Sequence, residues 1–252
     1  MALITIITIT YNAEKVLERT LQSIAKQECK NFEYLLIDGQ SKDGTLQLAN
    51  KYRGLITSIV SEKDNGIYDA MNKGLAMAKG EFVWFMNAGD EIADESTMCK
   101  IIANIHSDCD LIYGDAWFVN ESGEIRGKRS DLTPHKLKAN MTWKDLKYGM
   151  LVCHQSLIVR RSIAPAYIEN NLSADIDWEI KSFKKAKKAV FLNYPIAKYL
   201  EGGISNQNLT KSLIDRYNVL KNHFGFFPNI YNHLVVLFRG IFKIAQNRGK
   251  YW

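Results

Sequence analysis

Apolar and polar positions follow two alternating periods along the first half of the chain. Residues 3–10 mix Ile with Thr and stop at Tyr11-Asn12, a β-branched run that predicts a buried strand. Leu17, Leu21 and Ile24 then recur on one helical face, with Asn12 as the expected N-cap. Residues 32–38 predict a second strand, closed by the turn signal Asp38-Gly39. A short helix near 45–52, a strand near 55–61 and a helix over 67–79 that stops at Gly80 continue the alternation. Residues 82–87 form a short apolar stretch, as expected of a strand covered on both faces. A helix near 94–105 leads to a strand at 111–117.

The second half is less regular. It predicts a hairpin over 117–128 around Glu121-Ser122-Gly123, a strand at 155–160 and a helix at 175–187. That helix is acidic at its start and lysine-rich at its end, as the helix dipole favours. Short strands at 191–194 and 197–200 follow, and helices near 208–224 and 229–246 close the pattern.

This order predicts an α/β fold: a Rossmann-like, mostly parallel central sheet with helices on both faces, plus C-terminal helices. A length of 252 residues suits one domain over 1–205 and a helical tail over 206–252. Ligands of such sheets bind beyond the carboxyl ends of the strands. Four strand ends deliver polar residues there: Thr10-Tyr11-Asn12, Asp38-Gly39, Asp64-Asn65-Gly66 and Asn87-Ala88-Gly89-Asp90.

The net charge of +6 sits in the tail. Residues 209–252 carry Lys211, Arg216, Lys221, Arg239, Lys243, Arg248 and Lys250 against Asp215 alone, which leaves 26 basic and 26 acidic residues elsewhere. A neutral body argues against nucleic acid as a partner, and a basic tail argues for a local anionic surface such as phospholipid. Ile230, Leu234, Leu237, Ile241 and Ile244 form an apolar stripe with Phe238 and Phe242 beside it; Asn232, Arg239, Lys243 and Gln246 lie opposite. Such a helix suits a membrane surface, and equally suits packing on the body or on a second subunit. No run of about 18 uncharged apolar residues predicts a spanning helix, and residues 3–10 read as a strand, not as a signal peptide. Cys29, Cys99, Cys109 and Cys153 form no C-x-x-C pair, so neither a zinc nor a redox motif is indicated. Four reduced thiols in a cytoplasmic protein are expected.

The strand ends also carry a resemblance. Ile6-Ile7-Thr8-Ile9-Thr10-Tyr11-Asn12 resembles the opening strand of the inverting glycosyltransferases of family 2. Tyr34-Leu35-Leu36-Ile37-Asp38-Gly39, with Ser41 and Asp43-Gly44-Thr45, is similar to that family's second strand and turn. The run from Glu62 to Gly74, containing Asp64-Asn65-Gly66-Ile67-Tyr68-Asp69, is similar to its third segment. Gly80-Glu81 and Phe85-Met86-Asn87-Ala88-Gly89-Asp90 are similar to its metal-binding strand. His154-Gln155, Ser173-Ala174-Asp175-Ile176-Asp177 and Gly202-Gly203-Ile204-Ser205 resemble a subgroup that builds bacterial surface polysaccharides. Order and spacing agree over residues 3–205, which makes the set specific where each motif alone is weak.

The resemblance implies the GT-A fold and a nucleotide-sugar donor, with UDP favoured. Thr10, Tyr11 and Asn12 would lie along the nucleotide, Asp38 would accept a hydrogen bond from the base, and Asp64 would border base and ribose. Asn72 and Lys73 would face the nucleotide sugar. Asp175 would be the general base of a single-displacement inverting transfer, which needs one base and no second acid. His154 could touch the diphosphate, the metal or the acceptor, and the loop ending at Ser205 could approach a phosphate. The family's usual Asp-x-Asp-Asp is here Asn87-Ala88-Gly89-Asp90, which leaves Asp90 as the carboxylate for Mn²⁺ or Mg²⁺, bound together with the donor. The implied acceptor is a saccharide or lipid-linked saccharide, met by a cytoplasmic enzyme peripheral to the inner face of the cell membrane. The missing acids at 87 and 89 keep a second reading open, a non-catalytic nucleotide-sugar binding module.

Overall fold

The structure, a computed structural model, describes residues 2–202 and 208–246, with the side chains of the last helix given up to Phe238. β-Branched runs set its centre. Strands β1 (Ile4–Thr10) and β2 (Phe32–Asp38) pair in parallel from Ile4 opposite Phe32 to Thr10 opposite Asp38. β3 (Ser58–Ser61) lies outside β2, and β4 (Phe82–Phe85) lies on the other side of β1; both are parallel to their neighbours. The crossovers are α1 (Leu17–Ala25), α2 (Thr45–Lys51) and α3 (Ile67–Met77).

Beyond β4 the sheet becomes mixed. After β5 (Glu91–Ile92) and α4 (Thr97–Ala103) come β6 (Leu111–Val119), β7 (Ile125–Lys128), the short α5 (Arg129–Leu132) and β8 (Leu157–Arg160). β8 starts at the edge where β4 ends, so it runs back antiparallel between β4 and β6. After α6 (Ala174–Lys185), β9 (Ala189–Leu200) runs parallel to β6 and pairs with β5. The order is β3-β2-β1-β4-β8-β6-β9-β5, with β7 on β6. This is the expected α/β class, parallel in its first four strands and mixed after them.

Strand periodicity divides the core in two. Ile7, Ile9, Leu35, Ile37, Val83 and Phe85 pack under α3 and α6, while Ile4, Ile6, Tyr34, Leu36, Phe82 and Trp84 pack under α1 and α4. Each face removes its side chains from water almost completely, at roughly 25 cal/mol per Å² of apolar area. Helices on both faces are thus dictated by strands apolar on both faces.

Three local expectations change, and one short strand is added. Asn12 does not cap α1, which begins after Val16. At φ 48° its backbone N–H donates to Ser41 Oγ (2.8 Å) and its Oδ1 accepts from Lys42 N–H (2.9 Å), so it staples two loops. The two short strands expected near 191 and 197 are one strand through Pro195, with a register break opposite Asp115. The two-residue β5 carries too short a pattern to be read. Cys29 and Cys99 form a disulfide, and only Cys109 and Cys153 remain as thiols, both buried. The pair is brought together by Gln27, whose amide donates to Asp94 O (2.8 Å) and accepts from Met98 N–H (2.9 Å).

The closing helices are α7 (Leu209–Phe224) and α8 (Phe226–Gln246). Up to Phe238, α8 is inverted relative to a packed amphipathic helix. Asn229 and Asn232 are buried, at 0% and 4% exposure, whereas Ile230, Leu234, Leu237 and Phe238 are 40–67% exposed. Ile241, Phe242 and Ile244 lie beyond the described side chains. Among the described residues no helix is long and apolar enough to cross a membrane.

The thiol assignment is directly checkable. Alkylation of the denatured, unreduced protein should label two cysteines, and prior reduction should raise this to four. Reduction should also lower the thermal midpoint, because the bridge constrains a long unfolded loop, an effect of about 2–4 kcal/mol.

Candidate active site

Three loops converge at the carboxyl ends of β1, β2 and β3. Asp38 ends β2 and is fully buried. Its Oδ1 accepts from the hydroxyls of Thr10 (3.0 Å) and Ser41; its Oδ2 accepts from Ser41 N–H (2.9 Å) and Ser61 Oγ (2.7 Å). With four internal donors, Asp38 braces the loops and has no lone pair left over for a base. Its turn instead presents Tyr11, 65% exposed, together with Asn12 and Asp64. Gly39 sits between two of these: a Cβ there would lie 2.3 Å from Asp64 Oδ2 and 3.3 Å from Tyr11 Cδ2. Glycine here lets Tyr11 and Asp64 close in from both sides; a larger residue would push the Asp64 carboxylate aside. Asp64 Oδ1 accepts from Gly66 N–H (2.9 Å), which holds the carboxylate at the loop.

The turn after β4 carries the second cluster. Asp90 N–H donates to Asn87 O (3.0 Å), and Gly89 takes φ +100° with its N–H on Thr20 Oγ1 (2.9 Å). Asp90 is 4% exposed. Its Oδ1 accepts from Leu200 N–H (2.9 Å) on β9 and its Oδ2 from Gln155 Nε2 (2.8 Å). Burial raises its pKa to about 7, against the pull of those two donors and of Arg19. Asn87 Oδ1 is buried with no partner. Among the described residues no three His, Cys, Asp or Glu side chains gather to hold a metal. This donor set fits a divalent cation shared with a diphosphate, which tolerates one carboxylate and a neutral oxygen, and does not fit a cation held by protein alone.

Asp175 opens α6, one residue after Ala174. It is partly buried, and its Oδ1 accepts from Ile176 N–H (2.9 Å). Burial raises its pKa to about 6, opposed by its own backbone turn, by Arg216 and by the Tyr68 hydroxyl. A carboxylate so tuned is ionised at neutral pH yet basic enough to take a proton from a hydroxyl as it reacts. Tyr199 on β9 lies within the fields of both Asp90 and Asp175, which, after burial, help raise its pKa. Asp177 turns the other way, to His223 Nε2 (2.7 Å) and Lys181 Nζ (2.7 Å), and so secures α7 to α6.

An aromatic box lies beneath these acids. Tyr167 stacks on Trp178 (5.1 Å, 5°) and on Tyr68 (5.6 Å, 24°), and meets Phe85 edge-on at 5.4 Å. His154 belongs to this box. Its Nε2 shares a 2.7 Å hydrogen bond with the Tyr167 hydroxyl, it is 7% exposed, and burial lowers its pKa to about 4. It is a neutral, inward-facing residue, not one offered to a ligand. Asn72 likewise serves the scaffold: its amide donates to Tyr167 O (3.0 Å) and accepts from Tyr167 N–H (2.7 Å). Lys73 pairs with Glu62 (2.9 Å) and Asp69 (3.5 Å) and donates to Lys63 O (2.9 Å), bracing the loop that bears Asp64. Ser205 lies outside the described residues.

Residues missed by sequence reasoning do part of the work. Gln155 orients Asp90, its own amide set by Cys153 Sγ at 3.2 Å from Oε1. It stood beside His154 in a recognised pair, but nothing in the pair says which of the two turns towards Asp90. Tyr68 lies inside the recognised third segment, where nothing marks it apart from its neighbours, and Tyr199 carries no local signal beyond apolar spacing.

The sequence profile described as Glycosyl transferase family 2 matches residues 5–165. The PGL/p-HBAD biosynthesis glycosyltransferase of Mycobacterium tuberculosis is 34% identical over 223 residues, covering 84% of this chain and 82% of its own. Among solved structures, S. aureus TarS 1–349 in complex with UDP-GlcNAc superposes with a TM-score of 0.70 at 25% identity. That match covers 86% of this chain, and this chain spans 64% of the TarS one. The mannosyltransferase PcManGT from Pyrobaculum calidifontis, in complex with GDP-Man and Mn²⁺, matches 96% of this chain and 75% of its own with a TM-score of 0.63. Its 14% identity makes that a likeness of fold.

The scaffold role of Asn72 has a measurable consequence. Asn72→Ala strips both hydrogen bonds from a backbone unit under the box and should destabilise the protein by about 1–3 kcal/mol in urea unfolding. A purely donor-contacting Asn72 would leave stability unchanged.

Proposed function

Because this chain belongs to glycosyl transferase family 2 and is a glycosyltransferase, we propose that it moves a sugar, with inversion, from a nucleotide-diphosphate donor to a saccharide or lipid-linked acceptor in surface-polysaccharide assembly. Its membership removes the alternative of a non-catalytic binding module. The finer reading is carried by two carboxylates at element ends, Asp90 in the turn after β4 with Gln155 and the Leu200 N–H on it, and Asp175 in the first turn of α6. One is suited to the diphosphate and the other to the acceptor hydroxyl.

In this reading Tyr11 offers a face for the base, and Asp64 lies across the groove floor at Gly39 to meet the ribose. Asp38 holds both loops in register. UDP is the favoured nucleotide; the TarS complex with UDP-GlcNAc supports it. Asp90, with Asn87 Oδ1 beside it in the same turn, would hold a divalent cation that neutralises charge on the departing diphosphate. Asp175 takes the proton of the acceptor hydroxyl as that oxygen attacks the anomeric carbon. The departing diphosphate needs no protonation, so a second acid is not required. Gln155 and Leu200 N–H keep Asp90 aimed as the charge develops.

The working position is read as the cytoplasmic face of a membrane. The exposed row Ile230, Leu234, Leu237 and Phe238 on α8, with Phe226, Phe227 and Tyr231 at 53–80% exposure near its start, supports this. On the described part of that helix the buried side chains are Asn229, bonded to Tyr217 O on α7, and Asn232, while the apolar row stays exposed. The basic excess of residues 209–252 suits anionic headgroups.

UDP with Mn²⁺ should raise the thermal midpoint, and Asp90→Ala should remove the metal-dependent part of the rise. Asp175→Asn should abolish sugar transfer, by about a hundredfold or more, while leaving that UDP-dependent rise intact. Transfer retained in Asp175→Asn would sink the assignment of the base. In flotation with vesicles containing anionic phospholipid, the wild type should rise with the vesicles and Leu237→Glu with Phe238→Glu should not. Equal flotation, or none in the wild type, would end the membrane reading.

A further inference from the structure

A polar pattern in α1, separate from its apolar face, follows the turn that carries Asp90. Thr20, Ser23 and Gln27 recur at helical spacing along one side of the helix and the residues just after it. Their partners lie in chain order along the segment that begins where β4 ends. Thr20 meets Asn87 and Gly89, Ser23 Oγ accepts from Ile92 N–H (3.1 Å), and Gln27 bonds Asp94 and Met98. Arg19, beside Thr20, pairs with Glu91 (2.8 Å). The helix thus serves as a template for this segment, and contact begins at the Asp90 turn.

Thr20 is the polar one of the four buried residues of α1 and is 0% exposed. A β-branched residue with a hydroxyl is a poor choice inside a helix on propensity alone. Here the hydroxyl is used in both directions. It accepts from Gly89 N–H (2.9 Å) and donates to Asn87 O (3.4 Å), the same oxygen that accepts from Asp90 N–H (3.0 Å). β1 holds this stretch only as far as Ala88: Met86 N–H donates to Ile7 O (2.9 Å) and Ala88 N–H to Ile9 O (3.4 Å). At Gly89 the backbone passes from β1 to Thr20. A glycine backbone is free to turn many ways, and the bond to Thr20 selects the one with φ +100°.

We propose that Thr20 is the positioning residue of the Asp90 turn: its hydroxyl fixes the peptide groups on either side of Ala88, and so sets Asn87 and Asp90 for a divalent cation held with a diphosphate. The proposal rests on the reading of Asp90 as a cation ligand. Thr20 acts through the turn, not on the cation. Its hydroxyl is out of reach of water, so its loss leaves the Gly89 N–H unpaired and the turn must move to recover a partner. Gln155 and the Leu200 N–H still hold the carboxylate, so what is lost is aim and not the ligand itself.

Thr20→Val keeps the shape and deletes the hydroxyl; Thr20→Ser keeps the hydroxyl and deletes a methyl. The thermal midpoint is followed against Mn²⁺ concentration at saturating UDP, each variant referred to its own midpoint in UDP alone. Thr20→Val should need roughly ten- to a hundredfold more Mn²⁺ for half of the metal-dependent rise, with its rise in UDP alone retained. Thr20→Ser should stay near the wild type. An unchanged Mn²⁺ requirement in Thr20→Val would overturn the proposal. So would an equal loss of both rises, which marks a merely structural residue, or a Thr20→Ser as impaired as Thr20→Val, which traces the effect to the methyl. If Thr20→Val does not fold, Thr20→Cys takes its place, with a thiol that is a weaker partner, and is judged by the same outcomes. A wild type with no metal-dependent rise, or an Asp90→Ala that keeps it, would instead remove the reading of Asp90, and the positioning role with it.

Discussion

Everything at the site hangs on the stacking of Tyr167 between Tyr68 and Trp178. Tyr167 belongs to no helix or strand, yet it joins three that do. Tyr68 is on α3, Trp178 is on α6 and Phe85 closes β4 just ahead of the Asp90 turn. Aromatic pairs at these spacings contribute about 0.5–1.5 kcal/mol each beyond burial, so the box is worth more as geometry than as stability. It sets how far the α6 N-terminus stands from the end of β4. His154 completes the box because it is neutral there; a charged imidazole could not be kept among Phe85, Tyr167 and Trp178 without a counter-ion.

The same burial that builds the box tunes the acids around it. Asp90 and Asp175 both carry raised pKa values, and in both the leading cause is loss of water. The groups that oppose burial are of the same kinds in both: the amide of Gln155, the Leu200 N–H and Arg19 at Asp90, and its own helix turn, Arg216 and the Tyr68 hydroxyl at Asp175.

Periodicity made the scaffold legible. β1 and β2 fall where their β-branched runs put them, and the carboxyl-end rule pointed to the edge where Asp64 and Asp90 gather. Loops that meet only in space were not legible. Asp38 was correctly located at a strand end, but its four donors come from residues 10, 41 and 61, so its fully internal role depends on three loops at once. Asn72 and Lys73 sit in a family-like motif and turn out to face the scaffold. Helical spacing revealed the stripe on α8 without saying that Asn229 and Asn232 would be buried positions of its described part. The cysteines were misread because their pairing depends on Gln27 bridging α1 to the start of α4, and sequence spacing carries no trace of that bridge.

The bond between Cys29 and Cys99 has a topological meaning as well. It closes a ring that contains β2, α2, β3, α3, β4 and the Asp90 turn, which is most of the side read here as the donor's. A single backbone cut anywhere between the two cysteines leaves the chain in one covalent piece, with β1 and α1 still tethered to everything after α4. A cut beyond Cys99 severs it. The stretch between the two cysteines is thus able to survive a nick that would divide the chain on either side of it, and an exposed loop such as the one around Asp64 is open to insertion or permutation without loss of molecular continuity.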